Sequence, residues 1–188
     1  MTIKKLIART DEVLAPLGFN RKGALWNRTI DSIVEVIDIQ VGKSGDTATI
    51  NAGVLQVDAF EKAWGYKPQG FVEEPFCIVR ARVGEIVNNH DLWWPLNDDQ
   101  TPKNVAMTLG THVLPFLERS RTQEAMEAFL EAVHGNYPLP KIYLAILKCQ
   151  GGDIQSACAI LRKVHEKARG DWSDRSMEVA RRIGCDIG

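Results

Sequence analysis

Apolar and polar residues alternate most regularly between residues 24 and 57, and this pattern predicts three strands. The two links between them are two and five residues long and contain turn-forming residues, which is typical of antiparallel hairpins. The predicted strands are Ala24–Ile30, Ile33–Val41 and Thr47–Val57. Because successive side chains of a strand point to opposite faces, one face of this sheet is predicted to be apolar and the other mixed.

Amphipathic helices are predicted on both sides of this stretch. Before it, apolar residues three and four positions apart predict a helix over about 2–17 that would cover the apolar face of the sheet. After it, the alternation at Phe76–Val83 predicts a fourth strand, Gly84–Asn89 is predicted to be a loop, and a short extended piece is expected around Trp93-Trp94. Further helices are predicted to begin at or near Asp58, Thr101, Ser120, Leu139, Asp153 and Trp172.

These elements predict an α+β fold. We expect a small antiparallel sheet covered by an N-terminal helix and followed by a C-terminal helical subdomain. The expected division is a sheet domain at 1–100 and a helical subdomain at 101–188, packed on the sheet domain as one compact unit.

Several short motifs in the first hundred residues occur in an order that resembles a known family. They are Gly18-Phe19-Asn20-Arg21-Lys22-Gly23, then Trp26 and Arg28, a strand ending in Ile39-Gln40, the strand Ile50-Asn51-Ala52-Gly53-Val54, and Trp93-Trp94. This order is similar to that of the bacterial family known as domain of unknown function 4304. The resemblance implies a fold and a bacterial origin. It implies no activity, and no functional residues come with it.

The predicted helix pair at 139–150 and 153–168 resembles one tetratricopeptide hairpin. The residues at that repeat's packing positions would be Leu144, Ala145, Gly152, Asp153, Ala157 and Leu161. Because solenoids need about three repeats for stability, we interpret the pair as a helical hairpin packed on the domain and not as a peptide-binding array.

Charge and composition narrow the range of partners. The formal net charge of −1 gives no electrostatic reason to expect nucleic acid or an acidic membrane surface. No apolar stretch has the roughly 18 residues that a membrane span requires. The four cysteines, Cys77, Cys149, Cys158 and Cys185, form no C-x-x-C or zinc pattern. Cys149 and Cys158 lie on adjoining predicted helices and could touch, but buried free thiols in a reduced, cytoplasmic protein are the favoured expectation.

No catalytic, cofactor-binding or metal-binding motif stands out, so no cofactor and no metal site are predicted. Glu35 lies among apolar residues of the second strand and has two interpretations. It could be a catalytic carboxylate whose pKa is raised by burial. The favoured interpretation is a paired carboxylate or one at the edge of a strand. The sequence favours a protein without catalysis and leaves that question open.

The candidate binding residues are aromatic and basic side chains of the sheet and its rim: Trp26, Arg28, Arg80, Arg82, Trp93 and Trp94. On an uncovered face, such side chains would suit contact with a protein or an acidic ligand. In the other interpretation, the tryptophans pack under the C-terminal helices and the arginines pair with Asp38, Glu73, Glu74 or Asp91.

The sequence favours a non-catalytic protein-binding module that uses the polar and aromatic face of the sheet or the helical hairpin. Small α+β immunity proteins, which neutralise toxins, are a fold-level analogy. One alternative is a small-ligand protein or enzyme with a pocket between sheet and helices, in which Glu35 is the base and Arg80 or Arg82 binds an anion. A structural homodimer is the other alternative.

Overall fold

A computed structural model of the chain describes residues 3–133, 135 and 137–188. By their contacts, these residues form two compact units. The sheet unit contains the described residues up to Leu55 together with Gly70–Arg121. The helical unit contains Gln56–Gln69 and the described residues from Thr122 to Gly188. Neither unit has a boundary at residue 100.

The sheet unit is built on the small antiparallel sheet that the alternation predicts. Its strands are β1 (Asn20–Lys22), β2 (Leu25–Ile30), β3 (Ile33–Val41), β4 (Thr47–Gln56), β5 (Val79–Arg82) and β6 (Trp94–Pro95). The strands lie in the order β1-β2-β3-β4-β5, and β6 also pairs with β4. The α+β class is therefore confirmed, and β3 has the bounds that the sequence predicts.

The helices of the sheet unit are α1 (Ile3–Leu14), α3 (Val83–Val87), α4 (Thr101–Thr108) and α5 (Leu114–Arg119). Helix α1 packs against α4. Between α4 and α5, Leu109–Val113 forms a π-helical turn just before Pro115. Proline has no N–H to bond the carbonyl of Thr111, so the regular hydrogen-bond ladder is interrupted at this point.

The core of the sheet unit lies on the face that the alternation of β4 predicts. On this face, the four side chains of Ala48, Ile50, Ala52 and Val54 are almost fully buried. The opposite face is only partly open, because Val36 and Leu55 are buried there as well.

The helical unit consists of α2 (Val57–Trp64), α6 (Gln123–Ala132), α7 (Pro138–Gln150), α8 (Ile154–Lys167) and α9 (Asp171–Ile183). Helices α7 and α8 pack against each other in a helical hairpin, and α2 contacts both α7 and α9. Trp64 of α2 donates a hydrogen bond to the Tyr143 hydroxyl (3.1 Å) and its ring lies against that of Trp172. Asp153 caps α8 by accepting a hydrogen bond from the Ser156 N–H, as predicted.

Three local predictions differ from the structure. Strand β1 was not predicted, because its three residues are all polar and exposed and show no alternation. The segment expected as a loop after β5 begins with the short helix α3. Helix α6 is capped by the Thr122 hydroxyl and not by Ser120, whose hydroxyl donates to the Phe116 carbonyl instead.

The cysteines give a further correction. Cys158 of α8 forms a disulfide bond with Cys185, which follows α9, whereas Cys77 and Cys149 are free. The prediction of free thiols is therefore wrong for the bonded pair. Spacing along the chain cannot tell which two cysteines approach within bonding distance. No helix in the described part of the chain is both long enough and apolar enough to cross a membrane.

Candidate functional site

The register of the sheet shows which candidate residues share a face. Residues directly opposite each other on antiparallel strands project to the same side. In β2 and β3, Trp26 lies opposite Ile37 and Arg28 opposite Glu35, all on the face that α1 covers. In β4 and β5, Arg82 lies opposite Asn51. The Asn51 amide contacts Asp38 and Gln40 of β3, which places Arg82 on the other face.

We call this other face the polar face and define it by Asp38, Gln40, Asn51, Arg80 and Arg82, with Trp93 beside them. The six candidate residues therefore divide into two groups. The structure brings together Arg80, Arg82 and Trp93, and it places Trp26, Arg28 and Trp94 on the helix-covered face.

Trp26 and Trp94 are buried side chains. Trp26 is fully buried, and its indole N–H donates a hydrogen bond of 2.8 Å to the carboxylate of Asp11 in α1. Trp94 lies opposite Ala48 of β4 and is 7% exposed. The interpretation in which they share an uncovered face with the arginines is therefore wrong, because strand pairing turns both rings toward the core.

Arg28 belongs to a buried ion-pair network around Glu35. The Glu35 side chain is 0% exposed, and its Oε2 accepts a hydrogen bond of 2.7 Å from Nε of Arg28. Its other oxygen, Oε1, accepts one of 2.7 Å from Nε of Arg121, which follows α5. Arg28 also donates to the Leu17 carbonyl and stacks over the Phe19 ring. Of the two interpretations of Glu35, the geometry therefore favours the paired carboxylate.

On the polar face, both arginines are paired with carboxylates. Arg80 contacts Glu74 at 2.8 Å, and Arg82 contacts Asp91 at 3.1 Å. The Arg82 guanidinium also lies 5.2 Å from the centre of the Trp93 ring. Arg80 is 50% exposed and Arg82 is 36% exposed, so both pairs border solvent. This pairing is the arrangement that the second interpretation of the candidate residues describes.

Hydrogen bonds to Asp91 connect the aromatic and charged parts of the polar face. The Trp93 indole N–H donates to Oδ2 of Asp91 at 2.8 Å, while Arg82 holds Oδ1. The bond from Trp93, followed by that from Arg82, lowers the pKa of Asp91 below its ordinary value. Asp91 therefore stays ionised and fixes Trp93 and Arg82 relative to each other.

Two carboxylates of this region have pKa values shifted in the opposite direction. Burial raises the pKa of Asp38, and the nearby charge of Glu73 adds to the effect, although the Asn51 amide opposes it. Burial also raises the pKa of Glu74, against the favourable charge of Arg80. Near neutral pH, the ionised carboxylates of Asp38 and Glu74 therefore lower the free energy of unfolding of the protein.

We predict that Asp38→Asn stabilises the protein at neutral pH. A carboxyl group whose pKa is raised on folding stabilises the folded state while it is protonated, and that contribution is lost as pH rises through the folded pKa. The advantage of the variant should therefore grow between about pH 4 and about pH 7. Urea unfolding of both proteins across this range measures it.

The exposed Asp99→Asn provides the control, because Asp99 is a loop carboxylate in water. If the parent and the Asp38→Asn variant are equally stable at every pH, the Asp38 charge does not destabilise the folded state and the prediction is wrong.

A glycine lets the loop that carries Asp91 and Trp93 approach the sheet. A Cβ atom at Gly84 of α3 would lie 1.8 Å from the His90 carbonyl oxygen, a distance no side chain permits. The loop then returns to β4, where the Leu92 carbonyl accepts a hydrogen bond of 2.8 Å from the Thr49 hydroxyl. Gly84 thus positions part of the polar face without contributing a side chain to it.

The chemistry available on the polar face is that of hydrogen-bond donors, acceptors and one indole ring. Among the residues that the structure describes, no group of three His, Cys, Asp or Glu side chains is placed to hold a metal ion. The Cys77 thiol beneath this face is buried, and burial raises its pKa far above the ordinary value, so it remains protonated.

Residues 10–119, more than half of the chain, match the model described as domain of unknown function (DUF4304). The chain belongs to the DUF4304 family. Comparisons with curated proteins and with solved structures gave no match.

The residues that carry the DUF4304 resemblance have identifiable packing roles. Gly23 adopts a positive φ of 66° in the turn between β1 and β2, a conformation that glycine accepts readily. A Cβ atom at Gly53 would lie 2.6 Å from Sγ of Cys77, so only glycine lets that segment pack against β4. The Phe19 ring supports the Arg28 guanidinium at 4.5 Å. The motif residues of the DUF4304 domain are therefore explained by their packing in the fold, without assigning a catalytic role to any of them.

Sequence reasoning did not include Gln40 and Asn51 in the candidate site. The Asn51 amide donates a hydrogen bond of 3.1 Å to the Gln40 side chain and so joins β4 to β3 on the polar face. A signal was present, because the alternation placed both residues opposite the core side. The alternation alone could not place Gln40 and Asn51 beside Arg82, because it does not predict how β4 pairs with β5.

Proposed function

We propose that this DUF4304 protein is a non-catalytic binding module that recognises another protein through its polar face. The observation that carries the proposal is the cluster of Arg82, Trp93 and Asp91 at the border of the sheet, beside the half-exposed Arg80. Arginine and tryptophan are enriched where protein interfaces form their strongest contacts. Asp91 and Glu74 hold both guanidiniums in place, so little side-chain entropy remains to be lost on binding.

The mixed charge of this face supports a protein partner over a simple anion. Each arginine already has a carboxylate within 3.1 Å, which weakens its attraction for a free anion. Gln40, which is exposed, and the Asn51 amide add uncharged groups that can donate and accept hydrogen bonds. A partner with polar groups of both signs fits this pattern.

A small-ligand or acid–base function is the second candidate. It no longer rests on Glu35, because both oxygens of that carboxylate are held by arginines. The observation in its favour is the raised pKa of Asp38 and Glu74, since groups of this kind occur at functional sites. Buried ion-pair networks raise or lower pKa values as well, so the binding module remains our preferred proposal.

A homodimer through the β1 edge is disfavoured by charge. Its residues Asn20, Arg21 and Lys22 are all exposed, and basic side chains on an edge strand oppose pairing with a second copy. A toxin-neutralising role is proposed by fold-level analogy, and a bacterial origin from the family resemblance. The cytoplasmic setting is inferred from cysteines that are expected from the sequence to be free. The Cys158–Cys185 disulfide weighs against a permanently reducing compartment.

Site-specific photocrosslinking tests the proposal. A photoreactive p-benzoylphenylalanine is placed at Gln40 on the polar face, or at Lys4, an exposed residue of α1, as the matched control. We expect a crosslinked protein with the probe at position 40 and none at position 4. The product should disappear when Arg80→Ala and Trp93→Ala are combined with the probe, while circular dichroism shows an unchanged fold. Identical products at both positions, or no product at either, would refute recognition through this face.

A further inference from the structure

The helical unit contains a cavity of its own, of about 300 Å³, between α7 and α8. It lies at the end of the hairpin away from the Gly151-Gly152 turn, where α7 begins and α8 ends. We call it the hairpin cavity. Its lining includes Lys141, Leu144, Ile160, Lys163, Val164 and Lys167.

The spacing of these residues explains why they meet. Lys141 and Leu144 are three residues apart on α7 and lie one turn from each other. On α8, the residues at 160, 163, 164 and 167 follow the spacing of a single helical face. Two facing helical stripes therefore line the cavity, which is open to solvent on one side, and leucine, isoleucine and valine form its apolar wall.

Three ammonium groups surround this apolar wall. Lys141 is half-buried, whereas Lys163 and Lys167 are exposed. Within the part of the chain that the structure describes, no carboxylate forms an ion pair with Lys163 or Lys167. By contrast, Lys148 in the same unit is paired with Glu127 and Glu131, and the hydrogen bonds that it donates, first to Glu127 and then to Glu131, raise its pKa. The hairpin cavity therefore combines an apolar wall with the unpaired positive charges of the exposed Lys163 and Lys167.

We propose that the hairpin cavity binds an amphiphile that carries an anionic head on a single aliphatic chain. The chain would lie against Leu144, Ile160 and Val164, and the head would be held by Lys163 and Lys167. A volume of 300 Å³ accommodates about ten groups of the size of a water molecule or a methylene. This volume is at the lower end for ligand pockets, so it suits one medium-length chain.

The head is identified by its charge, and a carboxylate and a phosphate both meet this requirement. The aliphatic chain distinguishes the ligand from inorganic anions, which would gain nothing from the apolar wall. The site lies within the helical unit and shares no residue with the polar face, so it can be tested separately from the proposed protein partner.

Isothermal titration calorimetry of the full chain tests this inference, with decanoate and decyl phosphate below their micellar concentrations as probes. We expect at least one of them to bind, and their relative affinity tells which head the rim prefers. Acetate, which lacks the chain, and decyltrimethylammonium, which reverses the charge, should each bind at least about tenfold more weakly. Equal binding of the cationic probe would overturn the proposal, as would the absence of binding by both anionic probes.

Substitutions locate the site. Lys163→Glu/Lys167→Glu should weaken binding of the preferred anionic probe at least about tenfold. The matched control, Lys43→Glu/Lys103→Glu, changes two exposed lysines of the sheet unit and should leave affinity unchanged. Chemical-shift changes in NMR spectra on titration should concentrate at residues 141–144 and 160–167. Undiminished affinity of the first variant, or shifts confined to other residues, would place the ligand elsewhere and refute the assignment.

Discussion

Glu35→Ala is expected to lower the free energy of unfolding of the sheet unit by about 3–5 kcal/mol. The carboxylate is 0% exposed and holds the guanidiniums of Arg28 and Arg121, which are themselves only 17% and 27% exposed. Removing it leaves two partly buried positive charges close together without a counter-ion, and such charges cannot be neutralised by losing a proton. Guanidinium or thermal unfolding followed by circular dichroism measures the loss.

Two controls separate the network from the general effect of losing a glutamate. Glu12→Ala removes the carboxylate of the exposed pair with Arg9 and should cost less than about 1 kcal/mol. Replacing all three members, as Arg28→Met/Glu35→Leu/Arg121→Met, should recover most of the stability that Glu35→Ala loses, because no unpaired charge remains. If Glu35→Ala costs no more than Glu12→Ala, the network is not a main support of the sheet unit.

Removal of the Cys158–Cys185 disulfide is expected to destabilise the helical unit by about 3–4 kcal/mol. The bond closes a loop with a sequence separation of 27 residues, which contains most of α8 and the whole of α9. The unfolded chain gains the freedom of this loop when the bond is absent, so the unfolded state is favoured. Unfolding of the Cys158→Ser/Cys185→Ser variant, followed by near-ultraviolet circular dichroism, measures the effect, since Trp64 and Trp172 lie in the same unit.

Counting thiols provides the direct check. Alkylation and mass spectrometry of the protein purified without reductant and unfolded should find two reactive thiols, at Cys77 and Cys149, and four after reduction. For the unfolding measurement, Cys149→Ser is the matched control, because it removes a free thiol of the same unit and should leave the Cys158–Cys185 loop closed. Four reactive thiols in the unreduced protein would contradict the bond.

The sequence predicts the sheet well where a local pattern repeats over many residues. The bounds of β3 were predicted at Ile33 and Val41, and β4 differs from its prediction by one residue at its end. Alternation is a strong signal over nine or ten residues because every second side chain must enter the core. It gives no signal for the three residues of β1 or the five of α3.

The candidate site was predictable only in part, for a reason of geometry. Alternation shows that Trp26 shares a face with Arg28, and Arg80 with Arg82, but not that the two pairs lie on opposite faces. Only the register between strands decides this, and a shift of one residue would exchange the faces. The bond from Arg121 to Glu35 spans 86 residues, and no local pattern contains such a contact.

Strand β4 runs directly into helix α2, and this connection affects where the folding unit of the family ends. Helix α2 begins at Val57, directly after the last residue of β4, and it lies inside the matched region 10–119. Its packing partners α7 and α9 lie outside that region, and so does Arg121, the second cation of the Glu35 network. We therefore expect that residues 10–119, the region that matches the family, would not fold stably without the residues that follow it. Its hydrophobic helix and its buried charge both depend on residues that follow it in the chain.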